Sequence, residues 1–239
     1  MAEENSIQLV TNLVRNAAVL DNKIDELLNP YKDYTDTLGD IVLPLKITIS
    51  TLNIARLRKF KSFLKGFANM VDSDNVNEQY IRKIENYLSK EMNLDFIAET
   101  VDSAIEAKST KCSAILGYFA GTILLGLDDI QYKDTTIVNA LKIMNNIDIS
   151  HFFKIYKKFY NPQVVKRSFR VSMDEQFSDL GIDTFELEST IEKLKAVQVL
   201  GYDSGGLGNV GNAWGAFRFN DNSTYLSEII SKSKMMEIL

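Results

Sequence analysis

Apolar residues recur at three- and four-residue steps along most of the chain, which is the period of a helix with one buried face. The first such segment, residues 6–28, ends before Pro30, because proline disfavours helix in the residue that precedes it. A second helix is predicted from Pro44 to about Met70. Its second half carries a heptad-like seam of Leu57, Phe60, Leu64, Phe67 and Val71. Its first half, "LKITIST", is β-branched and fits a strand equally well.

Five more helices are predicted before Pro162. They cover about 76–91, 94–107, 110–127, 133–145 and 149–159, the last capped by Asp148 or Ser150. The third of these contains sixteen uncharged residues, Cys112–Leu127. A membrane span needs about 20 apolar residues, so we interpret this segment as the central buried helix of a bundle, with membrane insertion as the alternative. Its Gly117 and Gly121 are four residues apart, a spacing that lets two helix backbones approach closely.

The pattern changes beyond Pro162. The stretch "DEQFSDL" predicts a short helix, Gly181 a turn, and Asp183 or Thr184 the cap of a second helix. The apolar face of that second helix is Leu187, Ile191 and Leu194.

A strand at 197–200, a glycine-rich loop, a strand at 216–219 and a final helix at about 223–237 follow, the helix starting at Asn222 or Ser223. The order helix, turn, helix, strand, loop, strand resembles a winged-helix domain. The predicted fold is therefore mainly α: a helical bundle over residues 1–160, then a small winged-helix-like domain with a β-hairpin over residues 161–239.

Gly206, Gly208 and Gly211 spell G-x-G-x-x-G, the fingerprint of a dinucleotide-binding loop. That fingerprint requires a helix directly after the third glycine, because the helix N-terminus holds the pyrophosphate. The residues after Gly211 have a strand period instead. We therefore predict that these glycines form the tip of the wing and that no cofactor binds there. Trp214 is either a core plug beneath the wing, which we favour, or an exposed anchor.

The composition is that of a globular protein, with 45% hydrophobic residues and a net charge of −5. The single cysteine, Cys112, lies in an apolar segment and is predicted to be a buried thiol. A chain without cysteine pairs and with an acidic start in place of a basic signal peptide predicts a cytoplasmic location.

The charges are unevenly distributed. Residues 41–71 contain six Lys or Arg and no Asp or Glu, so the remainder carries −5 − 6 = −11. The candidate contact for an acidic partner is the basic cluster of Arg56, Arg58, Lys59, Lys61 and Lys65. A solvated side of a core-facing helix explains the same cluster, as does docking to anionic lipid or nucleic acid.

Residues 162–239 contain eight Lys or Arg and eleven Asp or Glu, a net charge of −3. Glu186, Glu188 and Glu192 crowd the helix that would enter a DNA groove. Because DNA affinity depends on neutralising phosphates, we predict that this winged helix binds protein or is purely structural.

Catalytic patterns are scarce. One Cys and one His give at most two such ligands to a metal, and His151 has no accompanying nucleophile motif. We interpret His151 as structural and predict that the protein is not an enzyme, although a carboxylate-only site would leave no local pattern.

The stretches "YKDYTDTLGDIVLPLK" and "KCSAILGYFAGTILLG" resemble bacterial helical proteins of the abortive-infection alpha type, over about residues 30–130. The resemblance implies a soluble or membrane-associated stress or phage-defence factor, with no catalytic residues to carry over.

Two hypotheses remain. The first is a non-catalytic cytosolic module for protein interaction or self-association. The second is an effector that contacts a membrane surface or nucleic acid through the basic helix around 56–65.

Overall fold

The computed structural model describes residues 2–15, 52–71, 77–164, 168–171, 175–202 and 215–234. Most of these residues are helical, and within the same ranges three short strands form an antiparallel sheet. The helices are α1 (Ala2–Arg15), α2 (Ile54–Met70), α3 (Glu78–Leu88), α4 (Glu91–Glu106), α5 (Thr110–Gly126), α6 (Tyr132–Ile143), α7 (Asn146–Phe159), α8 (Thr184–Ala196) and α9 (Asp221–Lys232). The strands are β1 (Ser168–Arg170), β2 (Leu200–Gly201) and β3 (Ala216–Phe219), with 3-10 helices at Pro162–Val164 and Glu175–Leu180.

Helix α5 lies at the centre of the helical part, which confirms the prediction for the uncharged segment. Its side chains are buried along most of its length, and it packs against α2, α4 and α6. Among the described helices, none is both long enough and apolar enough to cross a bilayer.

Helices α2 and α5 touch backbone to backbone. A Cβ built on Gly117 would overlap the carbonyl oxygen of Phe63, and one built on Gly66 would overlap the carbonyl oxygen of Ala114. The close approach predicted from the glycines of α5 is therefore confirmed, and Gly66 of α2 is the partner that the spacing argument did not identify. Phe60, Leu64 and Phe67 of the predicted seam are buried in the same contact region.

The caps of α7 and α9 differ from the predicted ones, and in both helices an asparagine is the cap. Helix α7 is capped by Asn145, whose Oδ1 accepts hydrogen bonds from the N–H groups of Ile147 and Asp148. Asp148 closes a capping box by accepting the N–H of Asn145, so it lies inside the helix and is not its cap. Helix α9 is likewise capped by Asn220, earlier than Asn222 or Ser223.

The turn and cap predicted before α8 are confirmed. Gly181 has a φ of 62°, a conformation that glycine adopts without strain. The Oδ1 of Asp183 accepts from the N–H of Glu186 at 3.1 Å. The strand predicted at 197–200 is limited to β2, because Gln198 has a φ of 62° and belongs to a turn. Strand β1 was not predicted.

The sheet order is β1-β3-β2, and both pairings are antiparallel. Phe169 of β1 pairs with Phe217 of β3, and Leu200 of β2 pairs with Phe219. The predicted ribbon of two antiparallel strands is therefore present, and the coarse fold class, mainly helical with a small antiparallel sheet, is confirmed.

One hydrophobic core joins the helical part and the sheet. Phe119 of α5 meets the ring of Tyr225 of α9 edge to face, with centroids 6.0 Å apart. Tyr156 of α7 meets Phe219 of β3 in the same way at 5.5 Å. The division into domains at residue 160 stays a prediction.

Several predictions concern residues outside the described ranges. These are the second half of the first helix, the segment 44–51, and the wing residues Gly206, Gly208, Gly211 and Trp214.

Candidate functional site

The basic cluster lies on α2, which begins where the Oδ1 of Asn53 accepts from the N–H of Arg56 at 3.0 Å. One side of this helix is buried against α5, so the cations are confined to the other sides. Arg56, Arg58 and Lys65 are exposed, whereas Lys59 and Lys61 are half-buried.

The five cations divide between two directions. Arg56 and Lys59 lie near Glu106 at the end of α4. A hydrogen bond from Lys142 at 2.8 Å lowers the pKa of Glu106. The charges of Arg56 and Lys59 act in the same direction, so these two cations already have an acidic neighbour.

The other three cations share the opposite side of α2 with Ile54. Residues at spacings of four, seven and eleven lie on one helix face, and we call this set the basic ridge: Ile54, Arg58, Lys61 and Lys65. Ile54 is 74% exposed. Burial lowers the pKa of Lys61, and the charge of Lys65 lowers it further. Within the described ranges, neither Arg58 nor Lys65 forms an ion pair.

A groove of opposite charge lies between α4 and the segment that leads into α6. It encloses about 560 Å³. We call it the acidic groove. Three acidic residues of α4 line it, Glu91, Asp95 and Glu99. Its largely hydrophobic lining residues are Met92, Phe96, Ile130 and Tyr132. Met92 and Tyr132 are 60% and 72% exposed. The sequence does contain a signal for this groove, since α4 has five acidic residues and no Lys or Arg.

Helices α7 and α8 are joined by a buried polar network. The hydroxyl of Thr190 donates to Oδ1 of Asp148 at 2.9 Å, and Nδ1 of His151 lies 3.1 Å from the same hydroxyl oxygen. Because the hydroxyl proton is directed at Asp148, the imidazole must donate through Nδ1. Lys193 donates to both carboxylate oxygens of Asp148, at 2.9 and 3.0 Å. Sequence reasoning considered Asp148 only as a helix cap and did not identify Thr190, since the two are 42 residues apart.

The order of this network differs from that of a catalytic triad. In a triad, the histidine lies between the carboxylate and the nucleophilic hydroxyl, whereas here the hydroxyl of Thr190 lies between Asp148 and His151. Thr190 is also 1% exposed. Burial lowers the pKa of His151, which keeps the imidazole neutral. The arrangement fits a role in holding α7 against α8.

Cys112 is a buried thiol, as predicted. It is 0% exposed, and its Sγ lies 3.1 Å from the carbonyl oxygen of Met144. Burial raises the pKa of the thiol to about 12. A protonated, inaccessible thiol is a poor nucleophile. In the part of the chain that the structure describes, no three His, Cys, Asp or Glu side chains are grouped so as to hold a metal ion.

The residues that follow the glycine-rich stretch are held by α8. Gly215 has a φ of 70°, and its N–H donates to Oε1 of Glu192 at 2.9 Å. The next residues form strand β3, whereas a dinucleotide site would need a helix to follow the glycines.

No family model matches the chain, and comparisons with curated proteins and with solved structures give no significant match.

Proposed function

We propose that this protein is a non-catalytic interaction module that binds an acidic protein surface through the basic ridge of α2. The observation that carries the proposal is the ridge itself: Arg58 and Lys65 are exposed and without an ion pair in the described ranges, beside a largely exposed Ile54. Arginine is enriched at protein interfaces, and a positive patch steers a negatively charged partner to the surface that carries it.

The C-terminal part supports an interaction role. The order of the elements supports a winged-helix-like unit: α7, β1, the 3-10 helix at Glu175–Leu180, α8, β2 and β3, with the sheet order β1-β3-β2. In such a unit α8 would be the recognition helix, and α7 would be the helix that supports it.

The charges of α8 favour a protein over DNA as the partner of that unit. Lys193 is engaged by Asp148, and Lys195 is buried and pairs with Glu192 at 2.8 Å. Glu186 is exposed on the same helix, and Phe185 is 69% exposed. Few cations therefore remain on α8 to neutralise phosphates.

A role in bacterial stress or phage defence is part of the proposal, and it rests on the resemblance over residues 30–130. The proposed cytoplasmic location rests instead on the single cysteine, which cannot form an internal disulfide. The alternative is contact with an anionic membrane surface or nucleic acid. The same ridge favours this alternative, because an exposed Ile54 next to cations also suits a lipid surface.

The test compares three polyanions at about 150 mM salt, where surface charges more than about 8 Å apart are screened. Fluorescence anisotropy would measure binding to polyglutamate and to duplex DNA, and flotation would measure binding to phosphatidylserine vesicles. We expect polyglutamate to bind, and Arg58→Glu/Lys65→Glu to lose that binding at least tenfold. The matched control is Arg82→Glu/Lys83→Glu, which makes the same change in net charge on exposed residues of α3.

Equal losses in both variants would show that net charge, not the ridge, governs binding. Unchanged binding in the ridge variant would contradict the proposal. Tighter binding to vesicles or DNA than to polyglutamate, with loss in the ridge variant, would favour the alternative.

A further inference from the structure

The basic ridge and the acidic groove are complementary surfaces of one molecule. Arg58 and Lys65 are seven residues apart, or about 10 Å along a helix axis; Glu91 and Glu99 are eight residues apart, or about 12 Å. The positive charges of the ridge and the negative charges of the groove therefore extend over similar lengths of helix. Within the described ranges, neither Glu91 nor Asp95 forms an ion pair.

Apolar side chains accompany the charges on both surfaces. Ile54 at the start of the ridge is 74% exposed, and Met92 and Tyr132 on the groove are 60% and 72% exposed. These are three of the six most exposed large hydrophobic residues that the structure describes. Tyrosine and arginine are among the side chains that contribute most to binding at protein interfaces. Tyr132 supplies the first on the groove and Arg58 the second on the ridge.

The ridge cannot reach the groove of its own molecule. The backbone contacts of Gly66 with Ala114 and of Gly117 with Phe63 hold α2 against α5 and set its rotation. Arg56 and Lys59, on another side of α2, lie near the end of α4, so the ridge is directed elsewhere. Only another molecule can bring a ridge to the groove.

We propose that the acidic groove binds the basic ridge of a second copy of this chain, so that the protein self-associates. This inference rests on the proposed function, since it names the acidic surface that the ridge contacts. A two-fold axis between the copies would form each ridge-to-groove contact twice. Each chain has a net charge of −5, so two copies repel at long range and the complementary surfaces must determine how they dock.

Sedimentation velocity on the full chain tests the proposal with a pair of charge reversals. Arg58→Glu/Lys65→Glu reverses the ridge, and Glu91→Lys/Asp95→Lys reverses the groove. We expect the unmodified protein to form dimers that weaken at 0.5 M NaCl, and each reversal to raise the dimer dissociation constant at least tenfold. An equimolar mixture of the two variants should dimerise again, because both contacts become complementary. Arg82→Glu/Lys83→Glu should dimerise like the unmodified protein.

Circular dichroism and cooperative melting show whether each variant is folded. A protein that stays monomeric at about 100 μM, corresponding to a dissociation free energy below about 5.5 kcal/mol, overturns the inference. So does a dimer that neither reversal weakens, or a mixture that does not restore association. If such a monomer still binds polyglutamate through the ridge, the proposed function stands and only the inference fails. If it binds no polyglutamate, both fail.

Discussion

Two helix contacts hold the described parts of this protein together by opposite means. Helices α2 and α5 meet at glycines, which have no side chain. The backbone of α5 occupies the place that a Cβ on Gly66 would take, and the backbone of α2 occupies the place that a Cβ on Gly117 would take. Helices α7 and α8 meet through Asp148, Thr190 and His151, which are all buried and hydrogen-bonded. The first contact should be sensitive to a single added methyl group and indifferent to pH, whereas the second should be sensitive to the loss of a hydroxyl group and to pH.

The largest effect is expected at the glycine contact. In Gly117→Ala the new methyl would overlap the carbonyl oxygen of Phe63, so the two helices must separate. Overpacking costs about 1–3 kcal/mol and more where backbone must move, and we expect the free energy of unfolding to fall by at least about 3 kcal/mol. Chemical denaturation monitored by circular dichroism measures this.

Gly126→Ala is the control for that change. It lies on the same helix, where an added Cβ would meet only the side chain of Asp128, which is exposed. Alanine favours helix over glycine, so we expect a change of less than about 1 kcal/mol, towards greater stability. Equal effects at the two glycines would contradict the proposed role of the backbone contact.

A smaller effect is expected at the polar contact. Thr190→Val keeps the shape of the side chain but removes the hydroxyl that links Asp148 to His151. Leaving a buried donor without an acceptor costs about 1–3 kcal/mol, which the same denaturation experiment measures. Thr190→Ser should retain most of the stability, because it keeps the hydroxyl.

Thr122→Val tests whether any threonine hydroxyl matters as much. Among the described residues, its hydroxyl bonds only to the carbonyl oxygen of Tyr118 in the same helix, at 3.0 Å. Such a bond adds little to stability, so the loss should be less than about 1 kcal/mol. A loss as large as that of Thr190→Val would argue against a special contribution from the α7–α8 network.

The smallest effect is a pH dependence confined to the polar contact. His151 is the only histidine of the chain, so NMR of its imidazole gives its pKa directly. Burial lowers that pKa below its ordinary value of 6.5. The unfolded chain therefore binds the proton more readily, and stability is lost as the pH falls through about 6.5.

His151→Asn should have a flatter pH dependence of stability between about pH 7.5 and 5.5 than the unmodified protein. The loss caused by Gly117→Ala should be the same at both ends of that range. A measured imidazole pKa at or above 6.5 would show that burial does not dominate at this site.

The two contacts also differ in how far the sequence revealed them. The spacing of Gly117 and Gly121 predicted a close helix approach, because small residues four apart always share a helix face. The network of Asp148, Thr190 and His151 left no such pattern, because its members come from helices distant in sequence. The sequence revealed the basic cluster as a group of neighbouring cations. Which of these cations lie near Glu106 and which belong to the ridge depends on the position of α4.

Helix starts show the same limit over a shorter range. Asp183 was predicted as a cap and is one, whereas the caps of α7 and α9 are Asn145 and Asn220. Several polar residues near a helix start are chemically able to cap it. The residue that caps the helix is determined by the position of the first helical turn, and packing against the core sets that position.

The sequence by itself determined the mainly helical character, the buried central helix, the seam of α2 and the antiparallel ribbon after α8. Each of these follows from periodicity, which is a local property of the chain. The tertiary structure alone decided which cations of α2 lie near Glu106, that α4 and the start of α6 form an acidic groove, and that Thr190 joins Asp148 to His151. These depend on distances between residues far apart in sequence, and such distances are set by packing.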